Sequence, residues 1–424
     1  MLQIKILAFL FTLCFFIATN VFAKKILTLS EAVNLAIKAN PQISSALKQK
    51  EEFLFQKNII RAEFFPKLYV NYTYQRIDQG KNLPEINLHT FGPNVTWNIF
   101  SGFSTYYAFK EALYYLSIQD EYIRTKINEV ALATIKAYLE YFKEKALYEA
   151  ALKDLEDAQT VLKLAQKRFE VGLSPYADVL DAEARVKEAE FKVSNYRYSA
   201  EIAKAKLLML LNEDLTKIEE YELLSPEEKE FTLKPLAEYI GKALKFRPEL
   251  LSKEKEILAQ ESRIKSVRGE FFPSVDLFAS YYRQDSKFFP DNNFDFQAGI
   301  KITFPMFTGF STVSKLQKER ATLEKKHFEK RDLELAIQQE VFSNYKLFET
   351  AKENLTASKA LLVKLEEDYR IVQKKYENGL ASIVDLTTVM ARLSQARANV
   401  AVSQYDLYLN YYNLIKSTGE VPGL

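Results

Sequence analysis

The chain has 424 residues, with 58 Lys and Arg against 56 Asp and Glu, two His and one Cys. A near-neutral chain with no dense basic tract argues against a nucleic-acid partner. Two imidazoles, His89 and His327, leave little material for a His-based triad or a His-rich metal site, and no cofactor is expected.

Residues 1–23 read as a secretory signal: Lys5 carries the charge, Ile6 to Ile17 the apolar core, and Val21-Phe22-Ala23 the cleavage site. The mature chain is expected to begin at Lys24. Cys14 does not fit a lipoprotein signal, because Leu13 precedes it where a small residue belongs and apolar Phe15, Phe16 and Ile17 follow. Cleavage removes the only cysteine, so the exported protein has no disulfide. After the signal no run of about eighteen apolar residues appears, which rules out a transmembrane helix and leaves a transmembrane barrel open. Export together with a possible barrel points to the outer membrane of a Gram-negative cell.

A shift of 207 positions superposes one half of the chain on the other. Glu63-Phe64-Phe65-Pro66 falls on Glu270-Phe271-Phe272-Pro273, Gly102-Phe103-Ser104-Thr105 on Gly309-Phe310-Ser311-Thr312, Gly172-Leu173 on Gly379-Leu380, and Asp178 on Asp385. The fold class expected is mainly α with a β portion, in tandem repeats at 24–211 and 235–424, joined by a less periodic stretch at 212–234. Each repeat opens with a short amphipathic helix (Leu29, Ala32, Val33, Leu35, Ala36; then Leu236, Ile240, Ala243, Leu244) closed by Pro41 or Pro248. A moderate helix follows, Gln42 to Phe65 and Glu249 to Phe272, each stopped at a proline.

The period then changes to two, at about 67–76, 89–100, 274–283 and 294–304. Leu68, Val70, Tyr72 and Tyr74 oppose Asn71, Thr73 and Gln75; Phe91, Val95, Trp97 and Ile99 oppose Thr90, Asn94, Thr96 and Asn98. In the second repeat Val275, Leu277, Ala279 and Tyr281 precede Phe294, Phe296, Ala298, Ile300, Ile302 and Phe304, which oppose Asp295, Gln297, Lys301 and Thr303. Strands of about nine to eleven residues suit a tilted crossing of a bilayer. Tyr72, Tyr74, Phe91, Trp97, Tyr281, Phe294, Phe296 and Phe304 are the expected lipid-facing aromatics, and 77–88 and 283–293 the polar loops. A small soluble sheet is the competing reading of any single strand. Four strands cannot close a membrane barrel, so strands must be pooled among copies, and three copies would supply twelve.

Phe103 to Val171 is a run of 69 residues without Gly or Pro, and Phe310 to Asn378 is a second. Each reads as a helix about 100 Å long, answered past a Gly turn by a returning helix at about 175–211 or 382–416. The matched stripes Val130, Thr134, Tyr138, Tyr141 and Ile337, Val341, Tyr345, Phe348 read as packing seams, and Lys325, Lys326, Glu329, Lys330 and Arg331 as a solvated face. Gly172 and Gly379 terminate their helices in the left-handed region, Ser174-Pro175 restarts one helix as N-cap and first residue, and Ser382 caps the other. In that setting Asp178 and Asp385 complement a helix dipole, worth about 0.3 to 1 kcal/mol.

The signal, the duplicated order of helix, strand pair and long helix pair, the exits Phe100-Ser101-Gly102-Phe103 and Phe307-Thr308-Gly309-Phe310, and the tips around Gly172 and Gly379 together resemble the TolC family of outer-membrane efflux proteins. The resemblance covers essentially the whole mature chain. It implies a homotrimer whose twelve strands form one barrel in outer-membrane lipid, continuous with a helical barrel crossing the periplasm. It also implies a passive duct, a periplasmic adaptor protein gripping the tips and an inner-membrane transporter supplying energy. Cargo is left among drugs, polypeptides and metal ions.

By the same resemblance Asp385 matches the first acidic position of a ring at the periplasmic entrance, while Thr388 stands where a second acidic residue can occur. Tyr376 matches a tyrosine that holds the closed tip, but Ala381 occupies the position of its arginine partner. Asp178 and Asp181 belong to the outer pair of helices and are assigned to tip packing or hydrogen bonding. Gly172, Leu173, Ser174, Gly379, Leu380 and Ala381 are the adaptor-docking candidates, small residues leaving the backbone accessible and leucines offering an apolar contact. An enzyme using Asp178 and Asp181 lacks any accompanying triad, phosphate loop or metal cluster. A non-channel periplasmic coiled-coil protein is the remaining alternative.

Overall fold

The computed structural model describes residues 25–78, 80, 85–226, 231–290 and 294–423, so the predicted signal and parts of both polar loops lie outside the described residues. In chain order the elements are β1 (Lys25–Leu27), α1 (Leu29–Ala39), α2 (Pro41–Ala62), β2 (Lys67–Ile77), β3 (Ile86–Ser101), α3 (Ser104–Glu170), α4 (Tyr176–Leu210), β4 (Tyr221–Leu223), α5 (Leu236–Phe246), α6 (Pro248–Gly269), β5 (Ser274–Asp285), β6 (Phe294–Thr303), α7 (Ser311–Glu377) and α8 (Ile383–Ser417). Pro41 and Pro248 open α2 and α6 rather than close the helices before them, since a missing N–H costs nothing in the first turn. Both moderate helices stop three residues short of Phe65 and Phe272. The last turn tightens, with Phe65 N–H donating to the Ala62 carbonyl at 3.1 Å, because the residue before a proline is pushed out of the α region.

The four long strands form one antiparallel sheet in the order β2-β3-β5-β6. Its register places Leu68, Val95, Ala279 and Ala298 in one cross-strand row and Trp97, Leu277 and Ile300 in another, so the apolar sides predicted strand by strand make a single face. The opposite face carries side-chain hydrogen bonds, Asn71 to Asn94 at 2.8 Å and Asn98 to Asp276 at 2.7 Å. Among the described residues β2 pairs only with β3 and β6 only with β5.

Beneath the sheet, α2, α3, α6 and α7 pack side by side in the same order, because each leads into or out of one strand. Between α6 and α7 the contact is an ionic ladder: Lys326 bonds Glu256 at 3.0 Å, Lys330 bonds Glu254 at 2.9 Å, and Glu329 accepts from Lys253 at 3.3 Å. Lys326, Glu329 and Lys330 are therefore not simply a solvated face; their partners come from a neighbouring helix that no local period reveals. Burial alone would raise the Glu256 carboxyl, but Lys253 and Lys326 outweigh it and hold it low.

At mid-height the described part of the stretch 212–234 is more ordered than its weak periodicity suggests. It contains a 3₁₀ turn at Leu215–Glu220 and β4, which pairs in parallel with β1. Three-residue strands are too short to show a period. This belt grips α3 where the buried Tyr138 hydroxyl reaches the carbonyls of Leu27 and Leu224, and it reaches α8 where Phe231 stacks on Tyr411 at 4.1 Å. Val130, Thr134, Ile337, Val341 and Phe348 are buried there, as packing seams should be.

Candidate functional site: the helical tips

Away from the sheet, α3 pairs with α4 and α7 with α8, while α3 also packs on α8 and so joins the repeats. The end of this bundle is a sealed core of Ala158, Val161 and Ala165 from α3, Val179 and Ala182 from α4, Tyr369 from α7 and Leu386 from α8, among others. Both turns leave their helix alike. Gly172 and Gly379 have φ of +73° and +74°, and the following leucine N–H donates back to the Arg168 or Lys375 carbonyl at 2.7 Å. This is the Schellman arrangement, open to glycine because it has no Cβ. Leu173 and Leu380 project into solvent, 68% and 78% exposed. Ser174 is half-buried and Ala381 packs against the core.

The restarts differ. Ser382 Oγ accepts from the Asp385 N–H at 3.2 Å, and the Asp385 carboxylate accepts from Ser382 N–H at 3.0 Å and Oγ at 2.7 Å, a complete capping box. In the first repeat the expected cap at Ser174 is absent: Pro175 occupies the N-cap position, α4 begins at Tyr176, and no side chain caps it. The 207-residue shift explains this, because Pro175, not Ser174, stands where Ser382 does. Asp385 is exposed, and the hydrogen bonds from Ser382 hold its carboxyl below the ordinary range. Asp178 is half-buried in the first turn of α4 and Asp181 is exposed one turn on.

Tyr376 is 1% exposed, and its phenol is pushed up by burial and then by the charge of Asp178, against Arg168. Arg168 is the partner that sequence reasoning missed. It donates to the Tyr376 carbonyl, approaches the Glu377 carbonyl at 3.5 Å, and lies 4.8 Å from the Tyr376 ring centroid. It thus supplies, from the other repeat, a cation that Ala381 cannot.

A second missed group lies higher in the bundle, where Arg397 of α8 donates to Asp154 at 2.8 Å and Asp157 at 2.7 Å of α3. A signal existed. Asp154 interrupts the buried stripe Leu147, Ala151, Ala158, Val161, Ala165 at heptad spacing, and a carboxylate in such a seam requires a cation. Burial alone would lower the Arg397 guanidinium, but Asp157 and Asp154 outweigh it and hold it charged.

At the other end of the molecule Tyr72, Tyr74, Phe91, Trp97, Phe294 and Phe296 are all exposed on the apolar sheet face, with Tyr281 half-buried among them. Phe304 follows the last residue of β6. Trp97 Nε1 donates to the Phe64 carbonyl at 2.9 Å. Among the described residues no cluster of metal-ligating side chains and no apolar membrane-length helix occurs.

This geometry can be set beside known proteins. A family model described as outer membrane efflux protein matches residues 32–213 and again 239–420. The chain belongs to the outer membrane efflux protein family. Both bounds of the two matches differ by 207 residues, so the family unit is the repeat itself. Protein CyaE of Bordetella pertussis is 21% identical over 404 residues, covering 93% of this chain and 84% of the relative. The alkaline protease secretion protein AprF of Pseudomonas aeruginosa is 21% identical over 407 residues, covering 90% and 82%. The outer membrane protein TolC of Vibrio cholerae is 24% identical over 413 residues, covering 92% and 90%. Among solved structures the fold is shared with CusC (TM-score 0.81, 15% identity, 92% of each chain). It is also shared with the Campylobacter jejuni channel CmeC (TM-score 0.81, 16% identity, 92% of this chain and 85% of that one). This efflux-family chain is therefore an outer-membrane protein reaching into the periplasm, of a family of efflux and secretion channels, and not an enzyme.

Proposed function

We propose that three copies of this chain form one passive exit duct of a tripartite efflux or type I secretion system, twelve strands lining the outer membrane and the helices enclosing a periplasmic tunnel. The observation that carries the reading is the open sheet: an apolar face with two unpaired edges cannot sit in lipid unless further copies close it. The internal junction of the two repeats serves as the template for the junction between copies. Inside the chain α3 meets α6 through polar groups, Lys255 bonding Glu121 at 2.8 Å and Ser266 donating to the Ser104 carbonyl at 3.0 Å. The 207-residue shift carries Glu121 to Phe328 on α7 and Ser262 and Ser266 back to Phe55 and Ile59 on α2. Those three apolar side chains are 76%, 57% and 59% exposed. The shift also carries Lys255 back to Lys48, so the seam between copies keeps that cation but loses its carboxylate and gains three apolar side chains, which suits association.

In this reading residues 1–23 direct export, 24–211 and 235–424 are the two repeats and 212–234 the belt between them. Tyr72, Tyr74, Phe91, Trp97, Tyr281, Phe294, Phe296 and Phe304 face lipid. Asp385 from three copies gathers near the axis at the entrance, with Tyr376, Asp178 and Asp181 holding the tip closed. Gly172, Leu173, Ser174, Gly379, Leu380 and Ala381 receive the adaptor, and an inner-membrane transporter supplies energy. AprF is described as a protease secretion protein and others of the family as efflux components, so both cargo classes fit a duct of this kind.

Planar-bilayer conductance of the purified protein tests pore and gate together. Asp385→Asn keeps a capping acceptor and removes the charge, and it is expected to change cation conductance with the fold intact; no current from either form removes the duct. Bulky replacements at Gly172 and Gly379 that still allow normal adaptor capture would remove the docking assignment.

A further inference from the structure

The apolar face of the sheet is interrupted by charge at one height. From Val275 to Tyr281 on β5, and from Leu68 to Tyr72 on β2, every residue on that face is apolar or aromatic. One step further from the helices, Arg283 stands in the row of Tyr72, Phe91 and Phe294. From 275 to 283 the strand climbs about 27 Å, or roughly 20 Å in height at a tilt near 40°, within an apolar band ~25 Å tall. Arg283 is therefore at the outer edge of that band. The other cations of the described strands are answered by acids: Lys67 pairs with Glu63, Arg76 with Glu85, and Lys301 stands opposite Asp276 on the polar face. Arg283 is exposed, and the hydrogen bond it makes runs from Nε to the Tyr281 hydroxyl at 3.3 Å. Asp285, next on the same face, is taken up with the Ser286 N–H at 2.6 Å.

The chain after β5 adds to this edge. Residues 286–290 turn back across β3 to β2 on the same face, where the Tyr72 hydroxyl donates to the Phe288 carbonyl at 3.0 Å and lies 2.6 Å from His89 Nδ1. The Phe288 ring sits 5.6 Å from that of Tyr72 and 4.8 Å from that of Phe289. Yet Phe288 and Phe289 stay 64% and 73% exposed, and Lys287 is exposed just before them. A loop meant for water has no reason to turn two phenyl rings outward beside an apolar face. Such rings suit the boundary between acyl chains and headgroups. An arginine is costly in the middle of the band and cheap at its edge, where it meets anions.

We propose that Arg283, with Lys287 and the shelf of Phe288 and Phe289, forms a binding site for a phosphorylated glycolipid of the outer leaflet, one site on each copy. The guanidinium forks to two oxygens of a sugar phosphate, and the rings cover the first carbons of the acyl chains. Two cations against the single carboxylate of Asp285 leave the edge positive, as a phosphate requires. The proposal rests on the reading of the apolar sheet face as lipid-facing, and it goes beyond that reading by naming which lipid is held and by which residues.

The test uses the full chain assembled in detergent and loaded with diphosphorylated lipid A, with the same lipid after phosphatase treatment, or with phosphatidylglycerol. Native mass spectrometry reads the lipid retained, and sedimentation confirms that each variant keeps the wild-type assembly. Wild type is expected to retain the phosphorylated glycolipid and to release most of the other two. Arg283→Gln should lower that retention about tenfold, since hydrogen bonds between charged groups are the strong ones, and Arg283→Lys should fall between because an ammonium cannot fork. Lys301→Gln, on the polar face, should change nothing. Replacing Phe288 and Phe289 together by Ser should weaken both forms of the glycolipid alike. Equal retention of the two forms by wild type, unchanged retention in Arg283→Gln, or a preference for phosphatidylglycerol overturns the proposal. Retention without selectivity removes the site and leaves the lipid-facing reading standing; a folded assembly that retains no lipid of any kind removes both.

Discussion

At the two strand-to-helix junctions Gly102 and Gly309 have nearly the same backbone, with φ of +63° and +62°, yet only the first is enclosed. A Cβ on Gly102 would stand 2.2 Å from the Gly269 carbonyl oxygen, whereas one on Gly309 would meet nothing within 4 Å. The same contrast recurs along the molecule. Glu121 is buried against Lys255, and its counterpart Phe328 faces solvent. The repeats share a backbone plan because they share the residues that set turns and periods. They differ where the first repeat has a neighbour in its own chain and the second has none there, the place that the proposed assembly gives to another copy.

The glycine pair should give the largest effect. Gly102→Ala is expected to abolish the folded protein, read as loss of the heat-resistant assembly and of cooperative unfolding. Gly309→Ala, strained by about 1–2 kcal/mol through its positive φ, should still fold. Equal damage at both sites would mean that Gly309 is as enclosed as Gly102, by Ala62 of the next copy, which the shift aligns with Gly269. Phe55→Asp comes next: sedimentation in detergent should show folded monomers, because the shift aligns Phe55 with the buried Ser262, and a carboxylate placed there is cut off from water. Trimers of unchanged stability would sink the proposed seam.

Smaller effects separate the tips. Ser382→Ala should cost about 1 kcal/mol of local stability through the lost cap, while Ser174→Ala should cost almost nothing. Limited proteolysis at 379–384 against 172–177 compares them. The smallest effect is on pH. The folded carboxyl of Asp385 is held below its ordinary value of 3.8, so its contribution is present above that value and lost as pH falls through the lower, folded one. Protection of the α8 first turn should therefore persist to below pH 3.8 in wild type. Protection already lost well above it would contradict the capping box.

Much of this was legible in the residues. Period-two alternation at Leu68–Tyr74 and Phe294–Ile302 marks strands whatever they pair with, since side chains on a pleated backbone must alternate. Gly172 and Gly379 mark turns by the absence of a Cβ. Asp154, a charge in an apolar heptad stripe, was readable and went unread. Arg168 continues the same heptad row after Asp154 and Val161, but its partners were not readable, because they are backbone carbonyls more than two hundred positions away.

The amino-acid order by itself determined the duplication, the places where helix gives way to strand, and which side of each strand is apolar, because these follow from local backbone preference and from the spacing of side chains along one element. Only the tertiary structure decided that α6 seats against α3, that α3 more than α4 carries the contact to α8, and that the arginines at 168 and 397 tie one repeat to the other. Those choices depend on which distant surfaces fit, and complementarity between surfaces has no period along the chain.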